Sequence, residues 1–529
     1  MPKILISDKL SEAGLAILKK ASGLEIDTKA GLKPDELKKI IGEYDGLVIR
    51  SGTKVTADLL SAATKLKIIG RAGIGVDNVD TVAASKKGII VENTPGGNVV
   101  TTAEHAIAMM FAVARKIPQA TGSMKAGKWE KTKFVGAELY NKTLGIVGVG
   151  NIGKIVADRA IGLKMKVIAY DPFLSKESAS KMGVELVELS DLFARADFIS
   201  THTPLNDKTR NLIDKAAFSK MKKGVYLINC ARGGIVNEDA LVSAIQEGIV
   251  SGAALDVFEQ EPINPENPLL KLDQVICTPH LGASTDEAQE NVSVEVAEQM
   301  VEFFVNGVVK NAVNFPSISG ELLGILQPYL SIAEKLGKVQ GQLAETNPEE
   351  ILIEYSGELA NLPVAPLTVS ILKGLLENLL TDMSVNFVNA PFIAKERGIK
   401  VTEAKLNEGK DFKNLIEITV KSSKGSRSVS GTIFGNKHAR LVRIDNFYLE
   451  ALPEGQILLV HNQDKPGVIG NLGSLLGKNN INISRLQLGL LKEKEEAIAF
   501  YNIDQVVSPE ILKEISKLPN IISVKQLSL

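Results

Sequence analysis

Cysteine is almost missing from the chain: only Cys230 and Cys277 occur in 529 residues, and the pair matches no metal-ligand or redox spacing. That excludes a disulfide framework, leaves no metal site to expect, and suits a reducing compartment where thiols stay free. An excess of either charge is missing too, with 61 Lys plus Arg against 62 Asp plus Glu. No overall field therefore draws the protein to nucleic acid or to an acidic membrane surface. Long apolar runs are also lacking. No uncharged stretch approaches the roughly 20 residues of a membrane span, and Met1–Ser7 meets the charge of Asp8 too early for a signal peptide. Neither a solenoid period nor a low-complexity tract interrupts the sequence. The expected protein is cytoplasmic and multidomain, of about three or four units at roughly 150 residues each, with small molecules as partners.

Two alternating series stand out. From Lys3 to about Pro95, short apolar runs (Ile4–Ser7, Leu47–Arg50, Ile68–Gly70, Ile89–Glu92) alternate with helical stretches such as Glu12–Lys20 and Pro34–Glu43. A second series follows the helical stretch Thr102–Arg115, with strands expected at Thr143–Val147, Lys166–Tyr170, Phe198–Thr201, Val225–Asn229, Gly252–Asp256 and Val275–Thr278. Six strands with intervening helices are what a doubly wound nucleotide-binding sheet requires. A long helical stretch, Thr285 to about Asn306, either completes that domain or crosses back to the first, and periodicity alone leaves the choice open. Beyond it, strands such as Ile351–Ser356, Ile416–Lys421 and Ser428–Phe434 mix with helices and carry no chemical motif. The tail from Gln456 to Leu529 reads strand, helix, strand, strand, helix, strand, the βαββαβ order of a ferredoxin-like domain.

Gly148-Val149-Gly150-Asn151-Ile152-Gly153 closes an apolar strand and opens a helix. In such a loop the first glycine makes the turn, the second lets backbone approach a pyrophosphate, and the third lets helix pack on strand. Alone, the pattern is weak evidence. Asp171 strengthens it by ending the next strand about 20 residues on, where a carboxylate accepts the adenine ribose hydroxyls and repels a 2′-phosphate. NAD is expected in preference to NADP. The plainer reading of Asp171 is a turn residue in Tyr170-Asp171-Pro172.

Ligands bind beyond the carboxyl ends of strands in open α/β sheets, and three such ends carry Arg232, Glu261 and His280. Oxidation of a 2-hydroxy acid needs a cation for the carboxylate, a base for the hydroxyl proton and a hydride acceptor. Arg232 supplies a guanidinium that grips a carboxylate bidentately, and His280 a group that titrates near neutrality. Glu261 would favour the imidazolium and fix its orientation. Each alone reads as well as a solvated or turn residue; three in order after a dinucleotide fingerprint read as one site. His202 is the rival base, also following a strand but without an acid–proline partner.

Asn229-Cys230-Ala231-Arg232-Gly233-Gly234, Leu255-Asp256-Val257-Phe258 with Glu261-Pro262, and Pro279-His280-Leu281-Gly282-Ala283-Ser284-Thr285 resemble the D-2-hydroxyacid dehydrogenase family. The resemblance implies Arg232, Glu261 and His280 as the catalytic set. It also implies a substrate domain made from both ends of the catalytic part, so that Thr285–Asn306 crosses back. Cofactor contacts are implied at Ile74, Gly148, Gly150, Asn151, Ile152, Gly153, Asp171, Thr203, Cys230, Ala231, Arg232, Asp256, His280, Gly282 and Ala283. Loops around Ile49–Thr56, Gly70–Asp80 and Asn93–Asn98 are similar to those of the branch that oxidises 3-phospho-D-glycerate to 3-phosphooxypyruvate at the entry to L-serine synthesis. Substrate contacts are implied at Arg50, Ser51, Ile74, Gly75, Arg232 and His280, with Lys131 or Lys133 as further phosphate ligands from a neighbouring subunit.

The resemblance extends over the whole chain. It implies a substrate domain at 1–97 and 285–315, an NAD-binding Rossmann domain at 98–284, an α+β intervening domain at 316–453 and a ferredoxin-like ACT domain at 454–529. Asn462, Asp464 and Asn482 match the ACT positions that hold an effector, L-serine, although Asn462 stands where one familiar version has histidine. Lys421, Lys424, Arg427, Lys437, Arg440 and Arg443 cluster in the intervening segment, as a solvated basic face or an anion site. A homodimer or homotetramer is implied.

Overall fold

A computed structural model describes residues 1–316, 320–380, 384–408, 411–435 and 437–529, with backbone alone at 320, 321 and 323. These residues form two compact units. Met1–Lys9, Leu18–Asn93 and Val296–Leu529 make one, and Leu10–Ile17 with Thr94–Glu295 the other.

The second unit carries the doubly wound sheet. Its strands are Thr143–Val147 (β6), Lys166–Tyr170 (β7), Glu185–Leu186 (β8), Phe198–Thr201 (β9), Val225–Asn229 (β10), Val250–Leu255 (β11) and Val275–Cys277 (β12), numbered after five in the first unit. All neighbours are parallel, in the order β12-β11-β10-β9-β6-β7-β8. The order reverses between β6 and β9, which places a ligand crevice at the carboxyl ends of those two strands. Fully buried β-branched and aromatic residues line β9 and β10, and their side chains pack helices on both faces, as an all-parallel sheet requires. The two-residue β8 was not expected; too short to show a period, it adds an edge strand to the six.

In the first unit, Lys3–Ile6 (β1), Glu25–Thr28 (β2), Gly46–Ile49 (β3), Ile68–Arg71 (β4) and Ile90–Asn93 (β5) form a parallel sheet in the order β2-β1-β3-β4-β5. The helix Asp286–Val301 contributes residues to both units. Its residues from Val296 onward pack on this sheet, where a Cβ on Gly70 would stand 2.7 Å from Val296 Cγ2 and one on Gly46 2.9 Å from Met300 Cε. Its first turns belong to the other unit. There Ser11 N donates to Ser293 Oγ at 3.2 Å, and a Cβ on Gly14 would meet Ser293 O at 2.6 Å. Leu10–Ile17 belongs to that same unit.

The remainder of the first unit holds two sheets. Glu350–Gly357 (β13), Lys400–Leu406 (β14), Asn414–Ser422 (β15), Gly425–Phe434 (β16), His438–Ile444 (β17) and Phe447–Ala451 (β18) order as β14-β13-β15-β16-β17-β18. Beneath them the helices Gly320–Leu343 and Ala365–Leu379 cross with backbones almost touching: a Cβ on Gly337 would lie 2.2 Å from Ile371 O, and one on Gly374 2.2 Å from Glu334 O. Gln456–Gln463 (β19), Ile483–Leu491 (β20), Glu496–Ile503 (β21) and Ile521–Ser528 (β22) pair antiparallel as β20-β21-β19-β22, the ferredoxin-like order. Ile457, Leu459, Phe500 and Leu527 of this last sheet pack in one core with Leu336 and Val339 of the long helix. Asn502 Nδ2 donates to Leu452 O and Glu454 O, each at 3.0 Å. The expected boundary near residue 453 is thus a change of sheet within a continuous core.

Candidate active site

β6 runs straight into the glycine loop, and each glycine there has a distinct constraint. Gly148 turns at φ +93°, its N–H donating to Tyr170 O at 2.9 Å, and a Cβ would stand 2.7 Å from Thr203 Cγ2. On Gly153 a Cβ would be 2.1 Å from Gly148 O. At Gly150 a Cβ would touch no protein atom, so internal packing does not demand glycine there, and the backbone is left open to the close approach of a ligand. Gly150 caps the helix Asn151–Gly162 without a side-chain acceptor, so the first N–H groups around Asn151 and Ile152 are free to meet an anion.

Asp171 braces this loop from the end of β7. Its Oδ2 accepts from Val149 N and its Oδ1 from Phe173 N, both at 2.8 Å, which is the turn role the sequence also offered. Across the switch point Thr203 Oγ1 is buried with no hydrogen-bond partner among the described residues. An unmade donor beside Gly148, an uncapped helix and an open Gly150 fit a dinucleotide. Cys230 is 4% exposed; burial, with Asp256 beside it, pushes its thiol well above the ordinary range, so it is inert. Ala231 is half-buried next to it.

The ends of β10, β11 and β12 bring Arg232, Glu261 and His280 together. His280 Nδ1 lies 2.7 Å from Glu261 Oε2, and Glu261 Oε1 accepts from Phe258 N at 3.1 Å. The Glu261–Pro262 peptide is cis. The hydrogen bond to Glu261 raises the His280 pKa despite burial, with the charges of Glu261 and Asp256 adding and that of Arg232 opposing. Burial pushes Glu261 up, but the bond from His280, the Phe258 amide and the charges of His280 and Arg232 outweigh it, leaving the carboxyl below its usual range. Arg232 is half-buried, and its Nη1 donates to Ala231 O at 2.7 Å. Gly233 behind it is obligatory, because a Cβ would sit 1.8 Å from Phe258 O. His202, the rival base, has no carboxylate; its Nε2 is 2.8 Å from Ser200 Oγ, and burial lowers it to about 4. It is neutral in the working range and held to a hydroxyl, not poised to exchange protons.

Three further residues support this site. Asn229, ending β10, accepts from Thr201 Oγ1 at 2.8 Å and Ala231 N at 3.1 Å and donates to Arg232 O at 2.9 Å, so it shapes the arginine loop. Asp256 was expected at the cofactor; it is fully buried, and its immediate task is the histidine loop, accepting from Thr278 Oγ1, Leu281 N and Gly282 N at 2.5, 2.7 and 2.8 Å. A Cβ on Gly282 would press on Asp256 Oδ2 at 3.2 Å, and Ala283 follows half-buried. His105, on the helix Val99–Ala114, is the third, 3.3 Å from both Asp256 Oδ1 and Thr278 Oγ1. Asn229 and Asp256 stood in strings the sequence made legible, while nothing in the sequence pointed to His105.

The other expected residues lie elsewhere. Arg50, Ser51, Ile74 and Gly75 are in the first unit, on loops at the carboxyl ends of β3 and β4. Asp8 Oδ2 accepts from Arg50 N and Thr53 N at 2.6 and 3.0 Å, and Asn78 Nδ2 donates to Arg50 O and Thr53 O, so the Arg50 loop is built rather than loose. Ile74 O accepts from Asn93 Nδ2 at 2.6 Å. Lys131 and Lys133 sit on an exposed 3-10 turn after Trp129, which is 82% exposed. In the last sheet, Asn462 is buried with its amide on Gln463 O, while Asp464 and Asn482 are exposed, before and after the helix Val468–Lys478. Arg443 of the basic cluster is paired with Glu417, and Lys421 with Glu350, which favours a structural face for those two. Among the described residues no group of three or more His, Cys, Asp or Glu could hold a metal, and no helix is long and apolar enough to cross a membrane.

Comparison with known proteins agrees with this geometry. The NAD binding domain of D-isomer specific 2-hydroxyacid dehydrogenase matches residues 107–282, the D-3-phosphoglycerate dehydrogenase intervening domain residues 325–445, and the ACT domain residues 456–520. The D-3-phosphoglycerate dehydrogenase of Archaeoglobus fulgidus is 45% identical over 529 residues, covering 100% of both chains, and that of Bacillus subtilis 42% over 530 residues with the same coverage. Among solved structures, D-lactate dehydrogenase from Aquifex aeolicus complexed with NAD and lactic acid is 32% identical, with a TM-score of 0.52 over 59% of this chain and 100% of that one. The NAD-dependent formate dehydrogenase from Staphylococcus aureus in complex with NAD is 29% identical, with a TM-score of 0.54 over 60% and 100%.

Proposed function

The chain belongs to the D-3-phosphoglycerate dehydrogenase family, and on that premise we propose that it oxidises 3-phospho-D-glycerate to 3-phosphooxypyruvate, the step that opens L-serine synthesis. The observation that carries the reading is the 2.7 Å pair of His280 and Glu261 on the strand ends that also present Arg232. Glu261 as a carboxylate can only accept, so the His280 Nδ1 bears the proton and its Nε2 is left to take one from the C2 hydroxyl. Arg232 holds the substrate carboxylate and, as the alcohol becomes a ketone, polarises the new carbonyl. NAD, when bound, supplies the acceptor for the hydride from C2. Gly150, the amides around Asn151 and Ile152, Asp171 and Thr203 hold that cofactor, and the carboxylate of Asp171 disfavours a 2′-phosphate.

For the substrate's far end, Arg50 and Ser51 receive the phosphate, with backbone amides around Ile74 and Gly75 meeting the carboxylate. Lys131 or Lys133 of a neighbouring subunit adds charge there in a homodimer or homotetramer. In the ACT domain Asp464 takes the ammonium of L-serine, Asn462 and Asn482 flank it, and amides at the Gly467 cap receive its carboxylate. Serine then biases the enzyme between two states. The test is NADH formation from 3-phospho-D-glycerate beside D-glycerate, with and without L-serine. A large preference for the phosphorylated acid, with inhibition by serine, is expected. Equal turnover of both acids would remove the phosphate assignment, and serine without effect on rate or assembly would remove the effector.

A further inference from the structure

The unit that carries His280 contains a second histidine–carboxylate pair, His105 with Asp256. Four hydrogen bonds join Asp256 to the histidine loop: its carbonyl accepts His280 N at 2.9 Å, and its carboxylate accepts Thr278 Oγ1, Leu281 N and Gly282 N. Among the described residues, His105 brings the one side chain from another element to that carboxylate. Thr278 must donate to the carboxylate, so its oxygen is left to accept; Nε2 of His105, 3.3 Å from both, therefore bears the proton and is shared between them. The His280 backbone needs this support, because it stands at φ +56° without being glycine, a conformation that a loop keeps only when its surroundings impose it.

We infer that His105 is a positioning residue for the oxidation proposed above: its Nε2–H clamps Asp256 and Thr278, fixes the loop 278–282, and so keeps the His280 ring on Glu261. The inference rests on the assignment of His280 as base only for its effect on rate; its geometric content concerns the pair His280–Glu261 itself. Removing the His105 donor leaves a buried carboxylate one partner short, and such a group recovers a partner by letting the loop shift. The groups facing His280 are Glu261, Asp256 and Arg232. Any shift that lengthens the bond to Glu261 weakens the interaction that favours the imidazolium.

The experiment uses full-length enzyme labelled at histidine 13Cε1. With five histidines in the sequence, resonances are assigned by single substitutions, and His280 is titrated in wild type, His105→Leu and His105→Gln. Glutamine places an amide N–H near the position of Nε2. In His105→Leu the His280 pKa falls by about 0.5 to 1 unit, and the acid limb of kcat/KM moves with it to lower pH, while kcat drops roughly tenfold to a hundredfold. In His105→Gln most of both effects is rescued. A helix substitution that merely destabilised the fold would scale the rate at every pH and leave the His280 titration in place. An unchanged His280 titration in a folded His105→Leu protein overturns the inference. A moved titration without a moved acid limb would instead count against His280 as the base, which separates the two claims.

Discussion

His280 donates through Nδ1 to Glu261 Oε2 across 2.7 Å, between loops that follow β12 and β11, and this one contact raises the histidine and lowers the acid. Replacing Glu261 by Gln removes the charge that favours the imidazolium. The acid limb of kcat/KM then moves to lower pH, because the base is already deprotonated there, and kcat falls about tenfold or more through loss of ring orientation. The same pair has a signature in stability. A histidine whose folded pKa is raised stabilises the fold below its ordinary range and loses that contribution as pH climbs through the raised value. Denaturation followed from pH 5 to 9 should show the wild-type advantage over Glu261→Gln shrinking towards alkaline pH.

The glycine loop separates packing from binding. Gly153→Ala forces a methyl onto Gly148 O and should cost about 1–3 kcal/mol of stability, seen as a lowered Tm. Gly150→Ala meets no protein atom, so its Tm should stay within a degree or two of wild type by the usual size of such surface changes. Its NAD affinity, measured by calorimetry, should fall about tenfold or more. Equal NAD binding in both proteins would contradict the reading of the loop.

Asp171 holds Val149 N and Phe173 N, and in the proposed reading it also receives the adenine ribose. Asp171→Asn keeps an acceptor for one amide but abolishes the charge. KM for NAD should rise and NADP should become a measurable substrate, with the ratio of kcat/KM for the two cofactors moving about tenfold or more towards NADP. An unmoved ratio would assign Asp171 to the turn alone.

Glu92 on β5 is fully buried, accepts from Lys310 N at 2.8 Å, and is pushed up to about 7, mainly by burial. A carboxyl with a raised folded pKa stabilises the fold in its protonated form, fully below the unfolded value near 4.5, and that contribution disappears as pH rises through about 7. Glu92→Gln keeps an acceptor for Lys310 and cannot ionise. Chemical denaturation should find the variant more stable than wild type by roughly 1–3 kcal/mol at pH 8 and equal to it below pH 5.

Much of this was legible in the sequence, for identifiable reasons. Strands buried on both faces announce themselves as β-branched runs, so β6, β9 and β10 were found within a residue or so of their ends. Edge strands rich in charge do not. β2 reads Glu-Ile-Asp-Thr and β14 Lys-Val-Thr-Glu-Ala-Lys-Leu, half exposed and rich in charge, and neither showed an apolar run. Arg232, Glu261 and His280 could be found because each follows a strand end in a distinctive local string. Asp256 was legible as a motif residue, but its bracing of the histidine loop rests on partners more than twenty residues away, and His105, a lone histidine in an apolar helix, looks like any core residue. The division of the helix Asp286–Val301 between two units was illegible for the same reason: it depends on Ser293 meeting Ser11 and Val296 meeting β4.

The central claim, that His280 takes the proton at a site assembled with Arg232 and Glu261, is tested most directly by His280→Ala with binding and turnover measured on the same preparation. NAD affinity by calorimetry should stay within about threefold of wild type, since the glycine loop and Asp171 are untouched. Oxidation of 3-phospho-D-glycerate should fall by about two to four orders of magnitude at every pH. Turnover within about tenfold of wild type, with the pH profile unchanged, would place the base elsewhere and contradict the account.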